Sequence, residues 1–333
     1  MVIFFFFLLY ITGYSQKLKT KSDEIKERMK EFKQFDIVSD HSDHYFANSN
    51  LLRNKKSCFT NSNSSFLKNI THEWKILEDN LPESIYVRVY EERMDLLRAA
   101  IVGAAGTPYH DGIFFFDFVF PSNYPNSPPI AFYHAHGLRI NPNLYKCGKV
   151  CLSLLNTWNG EKEEMWNPGS STILQVLVSL QALVLNEKPY FNQPGHIAFN
   201  EIYQEESNRC NNSIFTISCK TMLLLLRKPP RNFEGFIHDH FCTRGNFILE
   251  ACKAYTEGSA IVGFYKDDGL YHSSSTIEDS EEFKVLMEKL YPDLVTALTK
   301  NAAQDFQFNK WVINLILRVI LAFGFLIVIS FIK

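Results

Sequence analysis

Neither sign of charge dominates this chain: 34 Lys and Arg stand against 36 Asp and Glu, for a formal net charge of −2. Such balance supplies no basic field to concentrate a polyanion, so no nucleic-acid partner is expected and a protein partner fits better. A compact cysteine framework is missing as well. The seven cysteines, at 58, 147, 151, 210, 219, 242 and 252, are odd in number and scattered, a pattern of reduced thiols in a cytosolic setting. No internal repeat occurs. Cys147 with His134 and His136 lacks the second tight Cys or His pair that zinc spacing needs, so no metal is expected. What is present in quantity is apolar: 46% of the 333 residues are hydrophobic and 14% aromatic, enough for one sizeable domain with appendages or for two small domains.

Both ends are strongly apolar. Residues 1–15 carry the run VIFFFFLLYI, which has the length of a signal-peptide core but no positive charge before it; Lys17, Lys19 and Lys21 follow it instead. Signal, anchor or neither all stay open for that segment. At the other end, Trp311–Ile332 spans 22 residues bracketed by Lys310 and Lys333. As a helix it would reach about 33 Å, enough to cross a bilayer core, with Arg318 near enough to one end to snorkel. The expectation is a transmembrane tail over 311–332 that holds the chain on the cytosolic face of an endomembrane, the endoplasmic reticulum first, with a cytoplasmic chain as the alternative.

Between the ends, 16–64 divides into a charged, solvated helix over Lys17–Phe35 and a flexible linker from Asp36 to Ser65, rich in Ser, Asn, Asp and His. His41 and His44 with Asp40 and Asp43 are read as part of that solvated tract. A main domain is expected over 65–230. Phe66, Ile70, Trp74 and Leu77 recur at helical spacing, and four strand-like runs follow: Ile85–Tyr90, Leu96–Gly103, Ile113–Phe120 and Ile130–His134. Their short connections favour an antiparallel meander. From Ser171, apolar residues come too often for a surface helix, which predicts a central buried one. Helices are expected from Pro194 toward Glu206 and over Cys210–Arg227. A helical extension over 231–309 includes Phe233–Thr256, a turn at Tyr265–Gly269 and a helix over Glu281–Lys300. His238, His240 and Cys242, at two-residue spacing, are read as ordinary helix surface.

The most informative stretch is Arg139–Ile173. It sets Asn141-Pro142-Asn143 before Cys151 and Trp166-Asn167-Pro168 after it, and it follows Tyr124-Pro125-Asn126-Ser127-Pro128-Pro129. In this order, behind a helix and a four-strand meander and ahead of a buried helix, these motifs resemble the ubiquitin-conjugating enzymes. The insertion after Cys151 and the segment Pro189–Gly195 look like the large hybrid conjugating enzyme/ligase branch that includes the plant phosphate-homeostasis enzyme. The resemblance covers about Phe66–Leu226 and implies an α+β ubiquitin-conjugating fold with a helical extension. It also implies ubiquitin, an activating enzyme and protein substrates as partners, with a ligase possible. No cofactor is implied, since ATP is used by the separate activating enzyme.

Within that resemblance Cys151 is the thioester nucleophile. A thiolate suits the task because it is both a good nucleophile and a good leaving group. Asn143, eight residues earlier, matches the family asparagine that supports the developing oxyanion or the loop beside it; Asn141 stands where the family usually has histidine. Tyr190 and Phe191 are candidates either to desolvate the incoming lysine or to pack the core. Asn126 and Pro168 mark the surface that a ligase would grip, although Asn126 replaces a bulky apolar residue. Asn156–Glu164, with Glu161, Glu163 and Glu164, forms either an acidic lip for basic substrates or a solvated loop. The function so implied is transfer of ubiquitin from Cys151 to lysine, with built-in ligase character open. The alternative is a non-catalytic ubiquitin-binding membrane adaptor on the same fold.

Overall fold

The computed structural model describes residues 23–47, 64–193, 202–265 and 281–303. The apolar segments 1–15 and 311–332, and most of Pro194–Glu206 and of the turn after Tyr265, lie outside the described residues. Among the described residues, no helix is long and apolar enough to cross a membrane.

In chain order the elements are α1 (23–31), β1 (Phe35–Val38), α2 (Ser64–Asn80), β2 (Ile85–Tyr90), β3 (Leu96–Val102), β4 (Ile113–Val119), β5 (Ile130–Tyr133), α3 (Ile173–Ser179), α4 (Gln204–Arg227), α5 (Glu234–Thr256) and α6 (281–303). The architecture is α+β, and β2 to β5 form the expected antiparallel meander. A fifth strand was not expected: β1 pairs in parallel with β2, Phe35 opposite Val87 and Val38 opposite Tyr90, so the sheet runs β1-β2-β3-β4-β5.

The two faces of the sheet carry separate cores, as the period of two requires. Leu97, Ala99 and Ile101 of β3 and Phe114, Phe116 and Phe118 of β4 pack with Ile70 and Leu77 of α2 and Ile173, Val176 and Leu177 of α3. Ala100, Ile113 and Phe115 turn the other way, onto Phe215 and Met222 of α4, Phe233, Phe236 and Ile237 at and within α5, and Leu294 and Leu298 of α6. β4 is therefore buried along its whole length, which is why IFFFDFV reads as a continuous apolar run.

The exception in that run, Asp117, stands opposite Arg98 in the β3–β4 register, and the two form a fully buried pair. Arg98 Nε donates to Asp117 Oδ1 at 2.6 Å and Nη2 to Oδ2 at 2.9 Å. The polar tract that the sequence presents as a linker closes over this pair. Arg98 Nη1 donates to Asp43 Oδ1 at 2.7 Å, Tyr45 N donates to Asp117 Oδ2 at 2.8 Å, and the His44 ring meets Leu97 O at 3.1 Å. Phe46 is buried against Tyr90, Leu96 and Val119. Residues 35–47 are thus a strand followed by a strap, ordered by a buried cation that needs carboxylates, which hydrophobic periodicity alone does not reveal.

Four further expectations are corrected. α1 is packed rather than solvated: Ile25 is buried, Arg28 pairs with Asp239, and the Phe32 ring just after the helix stacks on Phe236 at 5.0 Å. The central helix is two-sided, with Ile173, Val176, Leu177, Leu180 and Val184 buried while Val178 and Leu183 face solvent; its last turn, Leu180–Val184, widens to i→i+5 spacing. His240 is no surface residue either, since it lies buried in α5 with its ring 2.8 Å from Asp111 O. α4 runs unbroken from Gln204, six residues ahead of the expected start at Cys210.

Candidate active site

The eight-residue spacing between Asn143 and Cys151 has a geometric cause. Leu144 bridges Val150, Tyr145 N donates to Lys149 O at 3.0 Å, and Gly148 N donates to Tyr145 O at 2.9 Å, so the segment is a tight hairpin. The hairpin sets Asn143 and Cys151 directly opposite each other. They exchange hydrogen bonds: Cys151 N donates to Asn143 O at 2.9 Å, and Asn143 Nδ2 donates to Cys151 O at 3.0 Å.

Gly148 makes the turn possible. Its φ of +87° is in the left-handed region, and a Cβ there would collide with the Phe132 ring. Gly148 is consequently buried. The Phe132 ring also stacks on Tyr45 of the strap, at 3.5 Å between ring centroids.

Val150 and Leu152 anchor the cysteine to the core on either side. Thr157, which sequence reasoning missed, locks the same segment: its Oγ1 donates to Val150 O at 2.7 Å and accepts from Leu152 N at 3.0 Å. A lone threonine in a polar insertion carries no pattern by which to find it. Cys151 is only 3% exposed, so the fixed backbone is present while most of the residue is covered.

Behind the hairpin stands a chain of asparagines. Asn141 Oδ1 accepts from Asn143 N at 2.7 Å; its Nδ2 donates to Val184 O at 2.7 Å and to Tyr109 Oη at 2.8 Å. Val184 O also accepts from Asn192 Nδ2 at 3.1 Å, and Asn192 Oδ1 accepts from Asn186 Nδ2 at 2.7 Å. Asn141 therefore holds the Asn143 main chain and, through one shared carbonyl, the 186–192 loop. This is the link between the thiol hairpin and Tyr190 and Phe191. Those two rings sit half-buried in the turn Pro189–Asn192, 5.3 Å apart and edge-on, with Tyr190 also 6.1 Å from Tyr203. Packing toward α4 accounts for these contacts.

Asn126 and Pro168 are both exposed, and their loops are brought together by Trp166, whose Nε1 donates to Pro125 O at 2.6 Å. Tyr124 Oη donates to Glu73 Oε1 at 2.5 Å, and Glu73 Oε2 accepts from Ile173 N at 3.1 Å, so one buried carboxylate of α2 holds this loop against the start of α3. Burial pushes the Glu73 carboxyl up, with the bonds from Tyr124 and Ile173 opposing. Thr172 closes the same helix end in a capping box with Gln175. The insertion is pinned at its ends, where Trp166 N donates to Asn156 Oδ1 at 3.3 Å, and Glu161, Glu163 and Glu164 are exposed. Among the described residues, no group of three or more His, Cys, Asp or Glu is arranged to hold a metal ion.

A helix and a meander, a hairpin that pairs an asparagine amide with a cysteine, and a proline-rich loop joined to a tryptophan loop together define an E2-type α+β domain. Comparison with known proteins agrees. The ubiquitin-conjugating enzyme family model matches residues 69–216. The chain is 42% identical to the putative ubiquitin-conjugating enzyme E2 38 of Arabidopsis thaliana over 301 residues, covering 90% of this chain and 87% of that protein. It is 49% identical over 290 residues to the probable ubiquitin-conjugating enzyme E2 24 of the same plant, covering 86% of this chain and 31% of that one. With the human dual E2 ubiquitin-conjugating enzyme/E3 ubiquitin-protein ligase BIRC6 it shares 37% identity over 238 residues, 68% of this chain and 5% of that protein. The chain belongs to the ubiquitin-conjugating enzyme family; it spans 31% and 25% of the length of the two long plant relatives E2 24 and E2 23.

Proposed function

We propose that Cys151 accepts ubiquitin as a thioester from an activating enzyme and passes it to a lysine of a protein substrate. The observation that carries this reading is the reciprocal pair of hydrogen bonds between Asn143 and Cys151, which fixes the backbone of a thiol beside an amide donor. In the first step the Cys151 sulfur attacks the incoming thioester carbonyl and the activating enzyme's thiol leaves. In the second, a neutral lysine amine attacks the Cys151 thioester, the C–S bond breaks, and the amine's proton goes to solvent or a base.

Asn143 Nδ2 uses one hydrogen on Cys151 O and has a second for an oxyanion forming at that carbon. Tyr190 and Phe191 would border the lysine's approach, held by the Asn192–Val184–Asn141 link. Asn126 and Pro168 would form a ligase-facing surface whose exposed amide weakens apolar docking. Together with the similarity to a dual conjugating enzyme and ligase, this favours substrate selection by the chain itself.

The charging reaction tests this. Activating enzyme, ATP and ubiquitin should produce a thiol-sensitive adduct that Cys151→Ala removes. The second reading, a non-catalytic ubiquitin-binding adaptor, draws on the 3% exposure of Cys151 and predicts ubiquitin binding without an adduct. For location, residues 311–332 are proposed as the anchor to the cytosolic face of an endomembrane. A fluorescent fusion lacking 311–333 should become soluble, and retention on membranes would refute the anchor.

A further inference from the structure

The junction of α1, α5 and α6 holds one cysteine, Cys242, in a cluster of polar side chains with no part in the conjugating site. His238 of α5 has both ring nitrogens against acceptors: Nδ1 is 3.0 Å from Asp239 Oδ1, and Nε2 is 3.1 Å from the main-chain oxygen of Asn301 in α6. Neither partner can donate, so the ring satisfies both only as the imidazolium. Asp239 is held in turn by Arg28 of α1, through Nε at 3.0 Å and Nη2 at 2.7 Å.

One helical turn after His238, the Cys242 sulfur lies 3.9 and 3.7 Å from the two ring nitrogens, and Asn301 Nδ2 donates to it at 3.2 Å. The same Nδ2 bonds His238 O at 2.9 Å, which fixes the amide between the helices. Cys242 is half-buried.

We propose that Cys242 is a second reactive thiol of this chain, one that hydroperoxides oxidise to the sulfenic acid, because a histidine cation and an amide donor surround its sulfur. A cation and an amide hydrogen that both face the sulfur are the environment that makes a thiol nucleophilic. The Asp239 bond, with a contribution from Cys242, raises the His238 ring to about 10, in keeping with its two acceptors.

In the reaction the thiolate attacks the terminal oxygen of the hydroperoxide. The S–O bond forms beside the His238 cation as the O–O bond breaks, and the departing alkoxide takes a proton from solvent to leave as alcohol, or as water when the oxidant is hydrogen peroxide. The oxygen of the sulfenic acid then accepts from Asn301. Sulfur is oxidised and the peroxide oxygen reduced, with no other reagent required. The other described thiols differ. Cys219 and Cys252 are fully buried, and burial pushes Cys210 up to about 11. Cys147 is exposed and serves as the internal reference.

The test treats the full chain with hydrogen peroxide and a cyclic 1,3-diketone that traps sulfenic acids, and follows each cysteine by peptide mass spectrometry. Cys242 should be trapped about tenfold faster than the more exposed Cys147. His238→Gln and Asn301→Asp should each bring it down to the Cys147 rate without changing Cys147 itself. Should His238→Gln fail to fold, the wild-type ratio and Asn301→Asp decide together. Trapping of Cys242 no faster than Cys147, or a Cys242 rate indifferent to the variants that fold, would overturn the proposal. Loss of the Cys151 adduct leaves this result unaffected, since the two thiols are read separately.

Discussion

Asn143 holds the hairpin through its bonds to Cys151, and in the proposed reaction it has a second, separable task in the transition state. Removing the amide in Asn143→Ala frees Cys151 O but keeps the main-chain bond from Cys151 N, so loading should persist. Discharge to free lysine should fall by roughly 10²-fold if the second Nδ2 hydrogen serves the oxyanion. Single-turnover discharge of preloaded protein measures it, and equal losses in loading and discharge would assign Asn143 to loop support alone. Gly148 is the other decisive position. Gly148→Ala meets both a positive φ and the Phe132 ring, so a thermal melt should reveal more than about 1–2 kcal/mol of lost stability. Wild-type stability in that variant would mean that the hairpin tolerates another turn. Asn143 and Cys151 were singled out through the order and spacing of motifs that carry a family resemblance, whereas Thr157 was not, because its bonds to Val150 and Leu152 depend on how an irregular insertion folds back.

The strap over the sheet depends on buried charge. Arg98 and Asp117 are both inaccessible to solvent, so Asp117→Asn leaves a guanidinium underpaired in the interior and should destabilise by about 3–5 kcal/mol; the double variant Arg98→Met, Asp117→Leu should recover much of the loss. Chemical denaturation of the single and double variants checks this. His44 adds a pH dependence. Burial lowers its ring from 6.5 to about 4, against the opposing pull of Asp117. Because the folded value lies below the unfolded one, the stability of the neutral ring is complete above about pH 6.5 and is lost as pH falls toward 4, on the order of 3 kcal/mol. Melting profiles across that window should be flatter in His44→Gln; identical slopes would remove His44 from the account. The meander and its helices were readable from periodicity, which reports apolar burial. β1 and the strap were not, because Asp43, His44 and Tyr45 are held by Arg98, the Leu97 carbonyl and Asp117, which lie 53 to 72 residues away.

At the scale of the molecule, the extension is part of the fold rather than an appendage, since Ala100, Ile113 and Phe115 of the sheet share a core with α4, α5 and α6. His110 extends this union: its ring meets Asp111 Oδ2 at 2.8 Å and Tyr255 Oη at 3.0 Å, while Arg244 Nε donates to Asp111 Oδ1 at 2.6 Å. A chain ending at residue 230 should therefore expose the apolar outer face of β4 and aggregate, which light scattering would register; a soluble, cooperatively folding 65–230 fragment would contradict this reading. The helices themselves were visible in the sequence, but their attachment was not, because a stretch such as FEGFIHDHF does not reveal which surface its aromatic rings will cover. The central claim remains that Cys151 carries ubiquitin. The most direct measurement is a single-turnover charging reaction with activating enzyme, ATP and ubiquitin, resolved without reductant. A thiol-sensitive adduct on wild type and Asn143→Ala that is absent from Cys151→Ala is the predicted result; no adduct on wild type, or one that survives Cys151→Ala, would contradict it.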